Sequence, residues 1–255
     1  MDQDSIRRLA GLVREAGRKI MDVYGHEDFG VEYKSDDSPL TIADKASHEI
    51  LMRGLSEIFP DIPVLSEEGK SMPHAERSGW KRFFLVDPLD GTKEFIKRND
   101  EFTINVGLIA GNSPFFGMLH GPVRDETYFG GPDFGSFRMT GDSEPQKISV
   151  TPPPEGGGLI AVASRSHPSP DLQEILDSYN VGRREPAGSA YKFAMVADGR
   201  AHIYARTNPT WEWDTAAGHA IVLGAGGSMT RLDGEPFLYN KEELLNPGFL
   251  VKGWT

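Results

Sequence analysis

Asp87-Pro88-Leu89-Asp90-Gly91-Thr92-Lys93-Glu94-Phe95 is the stretch from which the rest of the chain can be read. Before it stands Phe83-Phe84-Leu85-Val86, a short apolar run that predicts a buried strand. Asp87 falls where that strand leaves the core. Pro88 fixes φ at the second position of a turn, and Gly91 lets the chain bend again. Such a turn folds Asp87 back beside Asp90, with the Leu89 carbonyl between them and outside any ladder. Two carboxylates and a carbonyl form a hard, all-oxygen ligand set that suits Mg²⁺. Thr92 adds a hydroxyl at the same place. A bare D-x-x-D describes many ordinary turns; the whole string is far more specific.

Around this motif lies a chain of 255 residues, long enough for one large catalytic domain with a sizeable core. Its 38% hydrophobic content and 29 glycines fit a loop-rich α/β or α+β protein. There is no cysteine, which removes disulfides, thiol nucleophiles and cysteine zinc sites. The net charge of −11 argues against a broad basic face for a nucleic-acid polymer. Acidity does not exclude an anionic substrate, because bound divalent cations reverse the local sign. Met1 to Ala10 is polar and charged, unlike a signal peptide, and no run approaches the roughly 18 apolar residues of a membrane span. Cytoplasmic residence is the expectation, and oligomeric state is left open between monomer and homodimer.

In chain order, Ile6, Leu9, Val13, Ala16, Ile20 and Val23 predict an amphipathic helix over 4–24, stopped by Gly25. Asp36 to Pro39 reads as a loop. Thr41 opens a second helix with Ile42, Ala46, Ile50, Leu51, Leu55 and Ile58 inward, and Asp44 stands where a capping-box acid would. Residues 61–65 predict a strand ending in Ser66-Glu67-Glu68-Gly69, and 70–80 a flexible connection. Strands over 102–110 and 114–120 form a hairpin, with further strands at 127–130 and 135–139. The Pro/Gly run of 151–158 divides a subdomain 1–150 from a subdomain 151–255. The second half alternates: strand 159–163, helices 172–179 and 190–198, strand 201–205, helix 213–223. That alternation predicts a layered α/β unit.

Three other places could carry chemistry. Trp213-Asp214-Thr215-Ala216-Ala217-Gly218 opens a helix, and Asp214 is either an N-terminal capping acid or a ligand. Ser164-Arg165-Ser166-His167 follows a strand end. Gly188-Ser189-Ala190-Tyr191-Lys192-Phe193 begins a helix, where backbone N–H groups favour an anion and Lys192 shares a face with Ser189. Arg206 closes the strand after Ile203-Tyr204.

The D-P-L-D-G-T-K-E-F string resembles the metal signature of the lithium-sensitive, Mg²⁺-dependent inositol monophosphatase superfamily, and W-D-T-A-A-G resembles its second signature. S-R-S-H, G-S-A-Y-K-F, the Y-x-R before the second signature and K-E-F after D-G-T are similar to the 3′(2′),5′-bisphosphate nucleotidase branch in its bacterial form. That branch usually has G-S-S-x-K, so Ala190 is a departure. The resemblance runs from about residue 6 to 250. It implies an αβαβα sandwich and hydrolysis of the 3′-phosphate of adenosine 3′,5′-bisphosphate to AMP, with phosphoadenylyl sulfate as a further substrate, in sulfur assimilation. It implies two Mg²⁺ ions, roughly 3.5–4 Å apart in such sites. Glu67, Asp87 and the Leu89 carbonyl would hold one; Asp87, Asp90 and Asp214 the other; Asp44 would serve a third, looser ion. Glu67 with Thr92 would orient and deprotonate the attacking water. Gly91, Thr92, Ser164, His167, Ser189, Lys192, Arg206 and Asp214 would contact substrate. It also implies inhibition by Li⁺ and peripheral association with the inner membrane. The alternatives are an inositol monophosphatase or sugar bisphosphatase on the same site, and a non-catalytic phosphoadenosine sensor, which would need no residue to orient water.

Overall fold

The computed structural model describes residues 1–26, 29–33, 39–164 and 172–255. The first half runs α1 (Gln3–Tyr24), β1 (Glu32–Tyr33), β2 (Pro39–Leu40), α2 (Ile42–Ile58), β3 (Val64–Ser66), α3 (His74–Arg77), β4 (Arg82–Asp90), α4 (Thr92–Ile96), β5 (Thr103–Ala110), β6 (Ser113–Gly121), β7 (Glu126–Gly131), β8 (Gly135–Thr140) and β9 (Gln146–Ile148). The second runs β10 (Leu159–Ser164), α5 (Leu172–Ser178), β11 (Val181–Ala187), α6 (Tyr191–Ala197), β12 (Ile203–Arg206), β13 (Thr210–Trp211), α7 (Glu212–Gly224), β14 (Ser228–Arg231), β15 (Leu245–Asn246) and β16 (Phe249–Lys252).

β3 to β9 form a seven-stranded sheet in sequence order, parallel at β3–β4 and antiparallel beyond. β4 shows why this sheet is covered on both faces. Its side chains alternate: Phe84 and Val86 join a core with α1 and α2, while Phe83 and Leu85 join a second core with α6 and α7. That second core is closed by a five-stranded sheet of order β11-β10-β12-β16-β14, through Val162, Tyr204, Phe249 and Val251. The outer face of the small sheet carries Ala161, Ile203, Ala205 and Leu250, which pack on Leu176 of α5. The layers are therefore helix, sheet, helix, sheet, helix, the expected αβαβα sandwich.

The A-A-G half of the second signature is a packing device. α7 lies so close to the large sheet that a Cβ on Gly117 would stand 2.1 Å from the Ala217 carbonyl oxygen, and one on Gly107 2.5 Å from the Ala216 Cβ. Gly107 and Gly117 are cross-strand partners. Small residues on both surfaces thus let one short helix bridge the two sheets.

Several expectations change. The inward face of α2 is Ala43, Asp44, Ser47, Leu51, Gly54 and Leu55, while Ile42 is 53% exposed. The Ser47 hydroxyl donates to the Pro88 carbonyl at 2.7 Å, which turns this face onto the metal motif. The strand expected over 61–65 is Val64–Ser66. The 70–80 connection is anchored: it contains α3, and buried Arg77 donates to Asn240 Oδ1 at 2.9 Å and to the Glu242 carbonyl at 2.8 Å. Short strands β1, β2, β9, β11 and β13 to β16, and the single turn α4, were not predicted. The helix after Gly188 has only seven residues.

Candidate active site

The turn expected after Val86 is a β-bulge. Asp87 pairs with Asn105 and Asp90 with Thr103, so three steps on β4 match two on β5. The extra residue breaks the ladder and bends the strand. The Leu89 N–H folds back onto Asp87 Oδ1 at 3.0 Å, and the Leu89 carbonyl accepts the Thr92 hydroxyl at 3.3 Å. Gly91 follows at φ +91°, a conformation that favours glycine, and starts α4 at Thr92.

Two further elements bring carboxylates to this bulge. β3 runs parallel beside β4, and the Glu67 N–H continues the pairing by donating to the Val86 carbonyl at 3.0 Å. Asp214 comes from the first turn of α7, where it also accepts the Trp211 N–H at 2.8 Å. Glu67, Asp87 and Asp214 offer oxygens that all lie within 4.8 Å of one another. Burial pushes the Asp87 carboxyl well above the usual carboxylate range, and the charges of Glu67, Asp90 and Asp214 add to it. Asp214 is raised by burial, then by Asp90 and Glu67, against the opposing hydrogen bond from Trp211. Such crowding is unfavourable for anions alone. An all-oxygen set with no His or Cys fits a hard divalent cation such as Mg²⁺. Asp90 stands beside this group, its Oδ2 accepting Ser189 Oγ at 2.7 Å and Asn105 Nδ2 at 3.3 Å.

Asp44 is the capping-box acid its position suggested, and it also reaches the metal motif. It completes the capping box of α2, with Oδ2 accepting the Thr41 N–H at 2.7 Å and the Thr41 hydroxyl. Its other oxygen accepts the Thr92 hydroxyl at 3.1 Å. Burial raises its pKa; the Thr41 bonds oppose that, the Glu68 charge adds to it, and the Thr92 bond lowers it. The link from Asp44 to Thr92 joins residues 48 apart in sequence, which no local pattern announces.

A cavity of about 170 Å³ opens on the cluster, and Glu67, Asp90, Gly91, Thr92, Ser164, Ser189, Lys192, Arg206 and Asp214 all line it. His167 lies outside the described residues. Lys192 is buried rather than on the surface. Its ammonium donates to the Ser189 carbonyl and, at 3.5 Å, to that of Ala187. Burial lowers it to about 8, against the raising charge of Asp90. Arg206 Nε donates to the Asn208 carbonyl at 3.3 Å. Sequence reasoning missed Thr103, Asn105 and Glu101. The first two sit on β5 opposite the bulge, and Glu101 accepts the Gly188 N–H at 2.8 Å. A polar residue inside an otherwise apolar strand, Thr103 or Asn105, was the available signal.

A model of the inositol monophosphatase family matches residues 2–251. The 3′(2′),5′-bisphosphate nucleotidase CysQ of Escherichia coli (strain K12) is 43% identical over 243 residues, 94% of this chain and 96% of that protein. The nucleotidase of the same name from Haemophilus influenzae is 30% identical over 254 residues, 99% of this chain and 94% of that protein. Among solved structures, CysQ from Bacteroides thetaiotaomicron is 40% identical and superposes with a TM-score of 0.84, covering 97% of each chain.

Proposed function

The chain belongs to the inositol monophosphatase family, and on that premise we propose that it is a metal-dependent phosphomonoester hydrolase that removes the 3′-phosphate of adenosine 3′,5′-bisphosphate to leave AMP. The nucleotidase assignment is supported by relatives of that name at 43% identity over 94% of the chain. The observation that carries the chemistry is the meeting of Glu67, Asp87 and Asp214 within 4.8 Å, beside a threonine hydroxyl held by Asp44.

In this reading Glu67, Asp87, the Leu89 carbonyl, Asp90 and Asp214 hold two Mg²⁺ ions. Ions bound there would neutralise the phosphate dianion and acidify a bound water. The protein's own residues do the rest. Thr92 has one proton, which the acceptors Asp44 and the Leu89 carbonyl compete for. Its lone pairs therefore accept a hydrogen bond from the attacking water and fix its orientation. Glu67 takes the water's other proton as the water oxygen bonds to phosphorus. The bond from phosphorus to the 3′-oxygen breaks, that oxygen takes up a proton from solvent to become the ribose hydroxyl, and Glu67 returns its proton to solvent. We assign Asp44 to orienting Thr92, whose hydroxyl its Oδ1 accepts; that oxygen keeps a second lone pair open to a third ion. A pure sensor would have no use for that hydroxyl pair. Lys192 and Arg206, with Ser164 and Gly91, line the cavity where the remainder of the nucleotide would lie.

Among the described residues no helix is long and apolar enough to cross a membrane. We place the activity in the cytoplasm, alongside the sulfur assimilation that generates such bisphosphates, and find no support for membrane association.

The test is phosphate release from adenosine 3′,5′-bisphosphate, inositol 1-phosphate and fructose 1,6-bisphosphate compared at equal concentration. The nucleotide should be turned over fastest. A clear preference for inositol 1-phosphate would replace this reading with that of an inositol monophosphatase.

A further inference from the structure

α7 has two acids in its first turn, and they act differently. Asp214 caps the helix through the Trp211 N–H. Glu212 is fully buried, and a buried carboxylate needs partners. It finds them in a distant turn. Its Oε2 accepts the Asn240 N–H at 2.8 Å, and its Oε1 accepts the Lys241 N–H at 3.0 Å and the Lys241 ammonium at 2.6 Å. Asn240 adopts φ +60°, in the left-handed region that asparagine tolerates, and the turn aims two successive N–H groups at one anion.

The same turn grips the opposite side of the site. Asn240 Oδ1 accepts Arg77 Nη1 at 2.9 Å, and its Nδ2 donates to the Arg77 carbonyl at 3.0 Å. Arg77 is buried too, and its Nε donates at 3.3 Å to the Met72 carbonyl, on the loop that leaves Glu67. Further along, the buried Asn246 accepts the Lys241 ammonium at 2.9 Å. Its Nδ2 donates to the Trp211 carbonyl at 2.7 Å and to Thr215 Oγ1 at 3.1 Å, on either side of Asp214 in sequence. Residues 240–246 thus join the loop after Glu67 to the first turn of α7. Glu67 follows β3, a three-residue strand at the edge of the large sheet, whereas Asp87 lies within the nine residues of β4. Sheet pairing alone holds Glu67 least. Its carboxylate and those of Asp87 and Asp214 lie within 4.8 Å of one another, and like charges so close repel.

We infer that Arg77 and Glu212 are positioning residues for the metal ligands: through residues 240–246 they clasp the loop after Glu67 to the helix start at Asp214 and hold the carboxylates at the spacing a small cation needs. The inference rests on the reading above, in which Glu67 and Asp214 serve Mg²⁺. Mg²⁺ demands near-ideal geometry at about 2.0–2.1 Å from its oxygens, whereas Ca²⁺ accepts flexible sites at about 2.3–2.6 Å. A loosened clasp should therefore weaken Mg²⁺ far more than Ca²⁺. A change that only destabilises the fold should leave that ratio alone.

The experiment is a calorimetric titration of Mg²⁺, and separately of Ca²⁺, into metal-free protein, with thermal melts in EDTA to confirm folding. The variants are Glu212→Gln, Arg77→Met, the two combined, and the milder Lys241→Met, which keeps both backbone N–H groups of the turn. Leu176→Ala, packed between α5 and the small sheet, is the control for lost stability. Glu212→Gln and Arg77→Met should each weaken Mg²⁺ about tenfold, the lower end for outer partners of metal ligands, and Ca²⁺ by less than about threefold. The combined variant should lose little more than the worse single one, because both act through one segment. Lys241→Met should move the ratio in the same direction by a smaller factor, and it decides the question if the other variants fail to fold. Leu176→Ala should melt lower with the ratio intact. An unchanged Mg²⁺ to Ca²⁺ ratio in folded clasp variants would overturn the inference and leave the segment a structural tie. Losses that multiply in the combined variant would overturn it as well. A wild type that binds no Mg²⁺ would overturn the metal reading itself, an outcome recognisable before any variant is titrated.

Discussion

Burial holds the Lys192 ammonium down at about 8, with Asp90 pulling the other way. Two carbonyls take part of its hydrogen-bonding capacity, and the remaining face lines the cavity. A lysine so placed can hold a phosphate only while it is charged. In the free enzyme that condition is met below about pH 8 and fails above it. The KM for adenosine 3′,5′-bisphosphate should therefore climb as pH passes 8, while that for 3′-AMP, which lacks the second phosphate, should not follow. Parallel profiles for the two nucleotides would contradict this. A charge-assisted hydrogen bond contributes roughly 1.5–3 kcal/mol, so Lys192→Ala should reduce kcat/KM for the bisphosphate by about 10- to 100-fold. It should change 3′-AMP turnover little. Equal losses on both substrates would show that the lysine acts on structure or on the cleaved phosphate instead.

α7 carries Asp214 and owes its position to the glycines beneath it. A methyl group on Gly117 would overlap the Ala217 carbonyl at 2.1 Å, so Gly117→Ala must move the helix or strain the sheet. Overpacking of this sort costs about 1–3 kcal/mol or more. Beyond the lower melting temperature, the variant should lose much of the Mg²⁺-induced stabilisation, because Asp214 rides on the displaced turn. Gly11→Ala is the control. Gly11 lies on the exposed face of α1 with nothing within 4 Å of an added Cβ, and the change should raise stability by about 0.5–1 kcal/mol without touching the Mg²⁺ response. The elements that sequence reveals are those whose pattern is local. α1 shows its apolar stripe, the β5–β6 hairpin its paired runs, and α7 its signature. β11, Val-Gly-Arg-Arg-Glu-Pro-Ala, shows no alternation, because as the edge strand of its sheet it has little apolar surface to bury. β16 is buried but too short for its run to announce a strand. The bulge in β4 reads as a turn because Pro88 and Gly91 suit either; only the register against β5 tells them apart. Glu67, Asp87, Asp90 and Asp214 were named from their motifs. The bonds from Ser189, Thr103 and Asn105 to the site were not, since they join strands and a helix far apart in sequence.

The whole molecule carries a net charge of −11, and the site concentrates part of it. Asp87 and Asp214 have folded-state pKa values raised by burial and by their neighbours' charges. A raised carboxyl stabilises the fold while protonated. That contribution is complete below the unfolded value, near 3.8, and is lost as pH rises through the folded value. The metal-free protein should thus lose stability from this source as pH rises from the acid range toward neutrality. Mg²⁺ binds the ionised form and stabilises by RT ln(1 + [L]/Kd), roughly 2.7 kcal/mol at 100 times Kd. The gain in melting temperature on adding Mg²⁺ should therefore grow from pH 5 to pH 8. Asp87→Asn keeps an acceptor for the Leu89 N–H and removes a charge, so it should melt higher than wild type in EDTA and respond less to Mg²⁺. A Mg²⁺ shift that shrinks with rising pH would contradict the linkage. The two halves of the chain contribute one site, and its central property is turnover that depends on an ion. The most direct measurement is AMP formation from adenosine 3′,5′-bisphosphate by protein stripped with EDTA and then titrated with Mg²⁺. The structure predicts no AMP from the stripped protein, full recovery on adding Mg²⁺, and almost none at any Mg²⁺ concentration from folded Asp90→Asn; undiminished AMP formation in the presence of chelator would contradict it.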